Sequence, residues 1–239
     1  IADLTTNVNA LANALQDSLH ARQRWVADIS HELRTPLAIL QGEIEALRDG
    51  VRQPGPKTIE SLHTEVLQLG RLVDDLHDLS LSDAGALTYQ FRPTDIGALM
   101  ARCLSNFTLR FEQHGLSSQF TDAARPIIVL GDERRLEQLF SNLLENSVRY
   151  TDAPGTIKVQ LQASADAVVI EIADSAPSVS PPICARLFER FYRPDDARSR
   201  ASGGSGLGLA IASNIVQAHQ GRISAAPSSL GGLAITIEL

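Results

Sequence analysis

Asp28-Ile29-Ser30-His31-Glu32-Leu33-Arg34-Thr35-Pro36-Leu37 is the stretch that organises the chain, because it sets a histidine outside an otherwise regular helical pattern. At about 100° per residue, Ile29, Leu33, Leu37, Leu40, Ile44 and Leu47 recur at three- and four-residue spacings and form one apolar stripe. His31 lies roughly 200° round from Ile29 and therefore faces solvent. Thr35, one turn on, comes round to the same face, and Glu32 carries a carboxylate within reach of the imidazole. Pro36 has no N–H for the carbonyl of Glu32, which predicts a bend just beyond the histidine. A lone histidine on a helix surface is usually a solvated side chain. With one nitrogen held by an acceptor and the other open, however, His31 becomes a nucleophile, and Glu32 is placed to orient it.

Working outward, Leu4, Val8, Leu11 and Leu15 lead through Trp25 into the same helix, with no Gly or Pro before Pro36. The helix should stop near Asp49-Gly50. Pro54-Gly55-Pro56 makes the turn, with Pro56 at the first position of a second helix. There Ile59, Leu62, Val66, Leu69, Val73 and Leu76 follow the coiled-coil period, and Gly85 is a natural stop. A two-helix hairpin leaves part of each stripe wet, so pairing with a second copy into a four-helix bundle is expected. An intramolecular coiled coil packed on the rest of the chain is the alternative.

The chain has 239 residues, 44% of them hydrophobic, which suits a soluble globular protein of one large or two modest domains. A formal net charge of -7 argues against general nucleic-acid binding. Arg186, Arg190, Arg193, Arg198 and Arg200 nevertheless make a local basic run that calls for a nearby anion. Two distant cysteines, Cys103 and Cys184, imply neither a disulfide framework nor a metal spacing. No stretch is long and apolar enough to span a bilayer, and no signal peptide is recognisable. The chain opens with Ile1 inside a helical pattern, which predicts a piece of a longer protein.

After the connector Phe91-Arg92-Pro93 the pattern becomes mixed. Thr94-Asp95 can cap a helix running towards His114-Gly115. Short strands follow around Leu116–Phe120 and Ile127–Leu130, then a helix from Asp132 to Tyr150 and strands over Thr156–Gln162 and Ala167–Ala173. A helix over Leu207–His219 and strands Arg222–Ala225 and Leu233–Leu239 complete an α+β sandwich. The irregular runs Asp174–Arg186 and Pro194–Gly204 are longer than structural connections need, and read as mobile loops over a ligand.

In the Asp132 helix, Leu136, Leu139, Phe140, Leu143, Leu144 and Ser147 mark the buried face. Asn142, Asn146 and Arg149, with Tyr150 beside them, run about 100° round from it, along the border of the core. Two amides, a guanidinium and a phenol in that row suit a cleft wall holding Mg²⁺, phosphate oxygens and a flat base. Gly203-Gly204-Ser205-Gly206-Leu207-Gly208-Leu209 opens a helix, whose backbone N–H groups and positive end can meet phosphate. The cluster follows a charged loop rather than a strand, so it is no Rossmann fingerprint. No Gly-Lys pair exists for a Walker A loop, and the protein-kinase motif set is missing too.

His31-Glu32-Leu33-Arg34-Thr35-Pro36-Leu37 closely resembles the phosphoacceptor box of bacterial sensor histidine kinases. Asn142 to Asn146, Asp174, Leu187-Phe188-Glu189-Arg190-Phe191-Tyr192-Arg193-Pro194 and Gly204–Gly208 resemble the N, G1, F and G2 boxes of that family's ATP-binding domain. The resemblance covers essentially Arg22 to Leu239. It implies an all-α dimerisation bundle, one helical hairpin per chain, followed by an α+β sandwich of the Bergerat type. It assigns residues 1–20 to the exit helix of a HAMP-like module, 21–90 to dimerisation and phosphotransfer, and 91–239 to ATP binding.

By the same resemblance His31 is the phosphoacceptor and Glu32 its base, while Thr35 positions a water for dephosphorylating the partner. Asn146 ligates Mg²⁺, and Asn142 and Arg149 approach the phosphates. Tyr150 flanks the base and Asp174 accepts from the adenine amino group. Ala176 in the G1 box, and Phe191 and Arg193 in the F box, belong to the ATP site. Gly204, Ser205, Gly206, Leu207 and Gly208 hold the triphosphate. ATP and Mg²⁺ are the implied cofactors. The implied partners are a second copy and a cognate response regulator, not nucleic acid. The implied location is the cytoplasmic side of the bacterial inner membrane, with membrane attachment through a preceding segment.

One departure stands out: Asp174-Ser175-Ala176-Pro177-Ser178 has Ala and Ser where the G1 box carries two glycines. If those glycines serve a left-handed conformation or a close approach, nucleotide affinity should be reduced. Asp174-Ser175-Ala176-Pro177, Ala201-Ser202-Gly203-Gly204-Ser205 and Asp49-Gly50-Val51-Arg52 look most like envelope-stress sensor kinases. Two other functions fit less well. An ATPase of this fold needs a glutamate where Asn142 stands, and Glu145 points about 100° away from Asn146. An ATP-deficient dimeric scaffold is hard to square with Asn146, Asp174 and Gly206.

Overall fold

The computed structural model describes residues 2–123, 125–163, 167–194 and 204–239, with backbone alone for residues 2–15 and 17–24. Helix α1 (Ala2–Arg48) runs without a break through Pro36, which is buried within it. It ends where expected: Gly50 has φ 71°, the left-handed C-terminal cap position that glycine adopts at no steric cost. Helix α2 (Pro56–Asp83) starts on its proline. Glu43 closes the hairpin by accepting from Arg52 at 3.0 Å and from the Ser61 hydroxyl at 2.9 Å.

The chain divides into two compact units, Ile1–Asp74 and Asp75–Leu239. In the first, the seam read from α2 proves to be two faces. Leu62 and Leu69 are half-buried beside the buried Thr58 and Leu72, whereas Ile59, Val66 and Val73 are 63%, 54% and 50% exposed. On α1, Leu37 and Ile44 are likewise wet, at 45% and 55%. These positions lie one heptad apart, so a single chain leaves an apolar face of coiled-coil period uncovered. Leu72, off the expected seam, belongs instead to the face that the hairpin buries.

The break falls at Asp74, earlier than the connector after Gly85, because the last turns of α2 make their contacts inside the second unit. Leu79 is 1% exposed there. Asp78 receives Arg135 at 2.5 Å and Gln138 at 3.2 Å, and the Ser82 hydroxyl accepts from Asn214 at 3.2 Å. Asp83 pairs with both terminal nitrogens of Arg190, at 2.7 and 2.5 Å.

The second unit is a helix layer on a sheet. Its elements are β1 (Arg92–Asp95), α3 (Ile96–Gln113), β2 (Leu116–Thr121), β3 (Ile128–Gly131), α4 (Glu133–Tyr150), β4 (Gly155–Ala163), β5 (Val168–Ser175), α5 (Pro181–Cys184), α6 (Gly208–Ala218), β6 (Arg222–Pro227) and β7 (Gly231–Glu238). The main sheet has the order β2-β4-β5-β7-β6, antiparallel except for β2 with β4, and β1 pairs with β3 in a separate ribbon. Alternation along the strands puts Ile157, Val159, Leu161, Ile170, Ile172, Ile235 and Ile237 on one buried face. Leu136, Leu139, Phe140, Leu143 and Leu144 of α4 are each 0% exposed.

Asp95 caps α3, accepting from the N–H groups of Gly97 and Ala98 at 3.0 and 3.2 Å. Asp132 caps α4, accepting from Arg135 N–H at 3.1 Å and from Gln90 N–H at 2.8 Å. Two expectations need correction. The connector at Arg92-Pro93 is strand β1, legible neither from its four residues nor from its proline, which sits tolerably in a two-stranded ribbon. The run from Asp174 to Arg186 is less irregular than expected, because β5 extends through Ser175 and Pro181–Cys184 is helical. Most of the run Pro194–Gly204, with Arg198 and Arg200, lies outside the described residues.

Candidate functional site

On α1, His31 is exposed, Glu32 half-buried and Thr35 exposed, so the imidazole presents itself to solvent as its helical phase requires. The Thr35 hydroxyl donates to the carbonyl of His31 at 3.3 Å. Its lone pairs stay on the histidine's face, while its proton is committed to the helix backbone.

In the second unit the candidate residues converge on the ends of α4, β5 and α6. Asp174 closes β5 and is only 6% exposed. The ladder slips there: Ala173 pairs with Ala234 but Ser175 pairs with Gly231, which leaves Gly232 and Leu233 opposite Asp174. This bulge turns the Leu233 N–H onto Asp174 Oδ1 at 2.7 Å. The Ser147 hydroxyl, from α4, donates to Asp174 Oδ2 at 3.1 Å. Burial pushes the Asp174 carboxyl up to about 6, against the lowering effect of those two donors. A Cβ on Gly232 would stand 2.3 Å from Asp174 Oδ1, so glycine is required beside the carboxylate. Ser147 was legible only as part of the buried stripe. A serine in a row of leucines is itself a signal, since a buried hydroxyl needs a partner.

The glycine-rich turn is shaped by contact with the F-box segment. Gly206 has φ 70°, and a Cβ there would lie 2.9 Å from Phe191 Cα. Phe191, itself at φ 58°, donates its N–H to the Gly206 carbonyl at 3.0 Å. Leu207 is fully buried and anchors the turn, and its N–H reaches the Ser205 hydroxyl at 3.3 Å. Helix α6 then begins without a side-chain cap, so its first N–H groups point out of the helix end. Asn142 donates to the Gly208 carbonyl at 3.2 Å, which fixes that end against α4. Arg149 lies on the turn: a Cβ on Gly204 would fall 1.8 Å from its Nη1. Asn146 and Tyr150 are half-buried along the same edge of α4, and Arg193 is half-buried in the F-box segment.

The substituted G1 box does not need its missing glycines for backbone conformation. Among the described residues Phe191 and Gln220 alone are non-glycines with positive φ, and Ala176 and Ser178 are not among them. Side chain and backbone hold the segment instead. The Ala176 carbonyl accepts from Asp152 N–H at 2.9 Å, and Ser175 Oγ from Thr156 N–H at 2.9 Å. The basic run is partly neutralised within the chain, Arg186 by Glu189 at 3.0 Å and Arg190 by Asp83, so it is a weaker anion signal than its sequence suggests.

Residues 21–85 match the family model of the His Kinase A (phospho-acceptor) domain, and residues 131–239 that of the histidine kinase-, DNA gyrase B- and HSP90-like ATPase. The chain is 52% identical over 239 residues to the signal transduction histidine-protein kinase BaeS of Escherichia coli, covering 100% of this chain and 51% of that protein. It is 35% identical to the sensor histidine kinase CpxA of E. coli, covering 97% of this chain and 50% of that one. The chain thus spans about half the length of these relatives. The solved structure of the Acinetobacter baumannii histidine kinase AdeS superposes with a TM-score of 0.75 at 30% identity, over 87% of this chain and 96% of that one. A phospho-acceptor helix carrying His31, joined to an ATPase-type sandwich with Asp174 at its rim, places this chain in the histidine kinase family, among the BaeS-like sensor kinases.

Proposed function

We propose that this chain autophosphorylates His31 from ATP and passes the phosphoryl group to an aspartate of a response regulator. One combination carries the reading: an exposed imidazole on α1, and in the second unit a buried carboxylate hydrogen-bonded to Ser147 of α4, the helix whose Asn142 also holds the uncapped start of α6. Asp174 accepts from the adenine amino group and Tyr150 flanks the ring. Arg149, Asn142 and the backbone from Gly204 to Gly208, with Ser205 and Leu207 between, line the phosphate side. Ala176, Phe191 and Arg193 border the site.

Among the described residues no three His, Cys, Asp or Glu side chains gather as metal ligands. Mg²⁺ would arrive with the phosphates, with the Asn146 amide oxygen as the hard ligand available to it. When bound, the ion neutralises charge on the transferring phosphoryl group. His31 uses a ring-nitrogen lone pair to form the N–P bond as the bond from phosphorus to the ADP oxygen breaks. Glu32 takes the imidazole proton. Thr35 serves the reverse task, orienting water for removal of phosphate from the regulator. Glu145 is tied to Arg110 by two hydrogen bonds and to Arg149 at 3.3 Å, which argues against its acting as the base of an ATPase.

The wet heptad positions Leu37, Ile44, Ile59, Val66 and Val73 support a homodimer closed as a four-helix bundle. Residues 1–20 read as the exit helix of a HAMP-like module, 21–90 as the dimerisation and phosphotransfer domain and 91–239 as the catalytic domain. The whole protein reads as an inner-membrane sensor with this portion in the cytoplasm. Among the described residues no helix is long and apolar enough to cross a membrane.

Incubation with γ-labelled ATP and Mg²⁺ tests the reading. Acid-labile, base-stable label on the chain, lost in His31→Gln while ATP binding persists, is the expected result. Equal label in both, or phosphate released equally by both with no label, overturns it.

A further inference from the structure

Ser147 has no role in the reaction outlined above, yet its environment is built. It is 3% exposed, in a stripe with the fully buried Leu143 and Leu144, and its hydroxyl is directed at Asp174. The Asp174 carboxylate is confined from both sides: the Ser147 hydroxyl meets Oδ2 at 3.1 Å, the Leu233 N–H meets Oδ1 at 2.7 Å, and the backbone of Gly232 leaves no room for a Cβ. Each carboxylate oxygen keeps a second lone pair for a ligand N–H.

We propose that Ser147 is a positioning residue for the nucleotide base: its hydroxyl holds the Asp174 carboxylate in one orientation and in the proton-accepting form that an adenine amino group requires. This rests on the assignment of Asp174 as the adenine acceptor. A carboxylate held by one donor can swing about its Cβ–Cγ bond. Held by two donors on different elements, it cannot do so without breaking a bond. The second donor also offsets burial. Among the described residues, the groups that shift Asp174 are the Leu233 N–H and the Ser147 hydroxyl, acting against desolvation. Removing the hydroxyl therefore favours the protonated acid, whose proton occupies a lone pair that the ligand N–H needs and makes that oxygen a donor. The G1 segment is fixed here by Asp152, Thr156 and Ser175 rather than shaped by glycine, so fine placement of its carboxylate falls to α4.

The test measures ATP affinity of the full chain between pH 5.5 and 8.5, by displacement of a fluorescent ATP analogue, for the parent, Ser147→Ala, Ser147→Thr and Asp174→Asn. Ser147→Ala should weaken ATP roughly tenfold near neutral pH, as expected for loss of a hydrogen bond to a charged group. Its acid loss of binding should move to higher pH by about one unit. Label transfer to His31 at saturating ATP should stay at the parent rate, and Ser147→Thr should restore affinity and pH profile. A uniform loss at every pH without a moved midpoint, or an unchanged affinity, overturns the proposal while Asp174→Asn still loses ATP. If Asp174→Asn binds ATP as the parent does, the assignment of Asp174 itself fails and the proposal with it.

Discussion

Leu143 of α4 and Val66 of α2 stand in apolar stripes of the same helical kind, yet the first is 0% and the second 54% exposed. The second unit supplies both sides of its core, with α3, α4 and α6 laid on one face of a five-stranded sheet. The first unit supplies only two helices, and each apolar side chain left wet forgoes about 1.5–3 kcal/mol of burial. A stripe thus says that a side chain needs cover; it does not say from which chain the cover comes. The polar residues differ in parallel. His31 is open to any partner, whereas Asp174 is closed in by the neighbouring strand β7 and by α4.

The largest effect should come from charging the wet face. Ile44→Glu with Val66→Glu is expected to halve the particle mass in sedimentation and to remove the melting transition of the helical unit, leaving that of the sandwich in place. A double variant that stays dimeric would break the comparison at its root.

The next effect is one of pH, on the nucleotide-free sandwich. The folded Asp174 carboxyl stands at about 6, above its ordinary 3.8, so between those values the folded state binds the extra proton. Stability from this group therefore rises as pH falls through 6 and is lost as pH climbs. The full span is roughly 3 kcal/mol. Asp78 runs the opposite way: burial pushes it up, but hydrogen bonds from Arg135 and Gln138 hold it below its usual value. Asp132 is held down by the N–H groups of Gln90 and Arg135 despite burial. Their contribution is present above the ordinary carboxylate range and lost below it. Denaturant titrations should accordingly show a gain from pH 7 towards 5, then a loss further into acid. A monotonic loss from neutrality would contradict the assigned burial of Asp174.

The smallest effect concerns the tail of α2. Asp83→Ala removes a pair whose side chains are 45% and 32% exposed, and should cost no more than about 1 kcal/mol, less in salt. Asp78→Ala, at 22% against 15% for Arg135, should cost more because it also strands Gln138. The reverse order would show that the pairing with Arg190, rather than that with α4, holds the helix end.

Long periodic elements were legible: α1, α2, α4 and α6, with the Asp95 cap of α3, follow from spacing and capping chemistry alone. So was the phase of His31. Strand β1 was hidden by its brevity and its proline, and the division within α2 by the fact that periodicity marks a face without marking its neighbour. At the site, Asp174 and the glycines were recognisable as residue types. The Ser147 and Leu233 contacts to Asp174, and the docking of Phe191 on Gly206, join residues distant in sequence, and no local pattern encodes them.

The backbone bond between Phe191 and Gly206 ties the two ends of the intervening segment together, and so defines a neck. The glycine at the neck is thereby a shared hinge-pin for two elements: a single methyl group there would strike the Phe191 backbone, so any substitution must displace the F-box segment and the turn into α6 together.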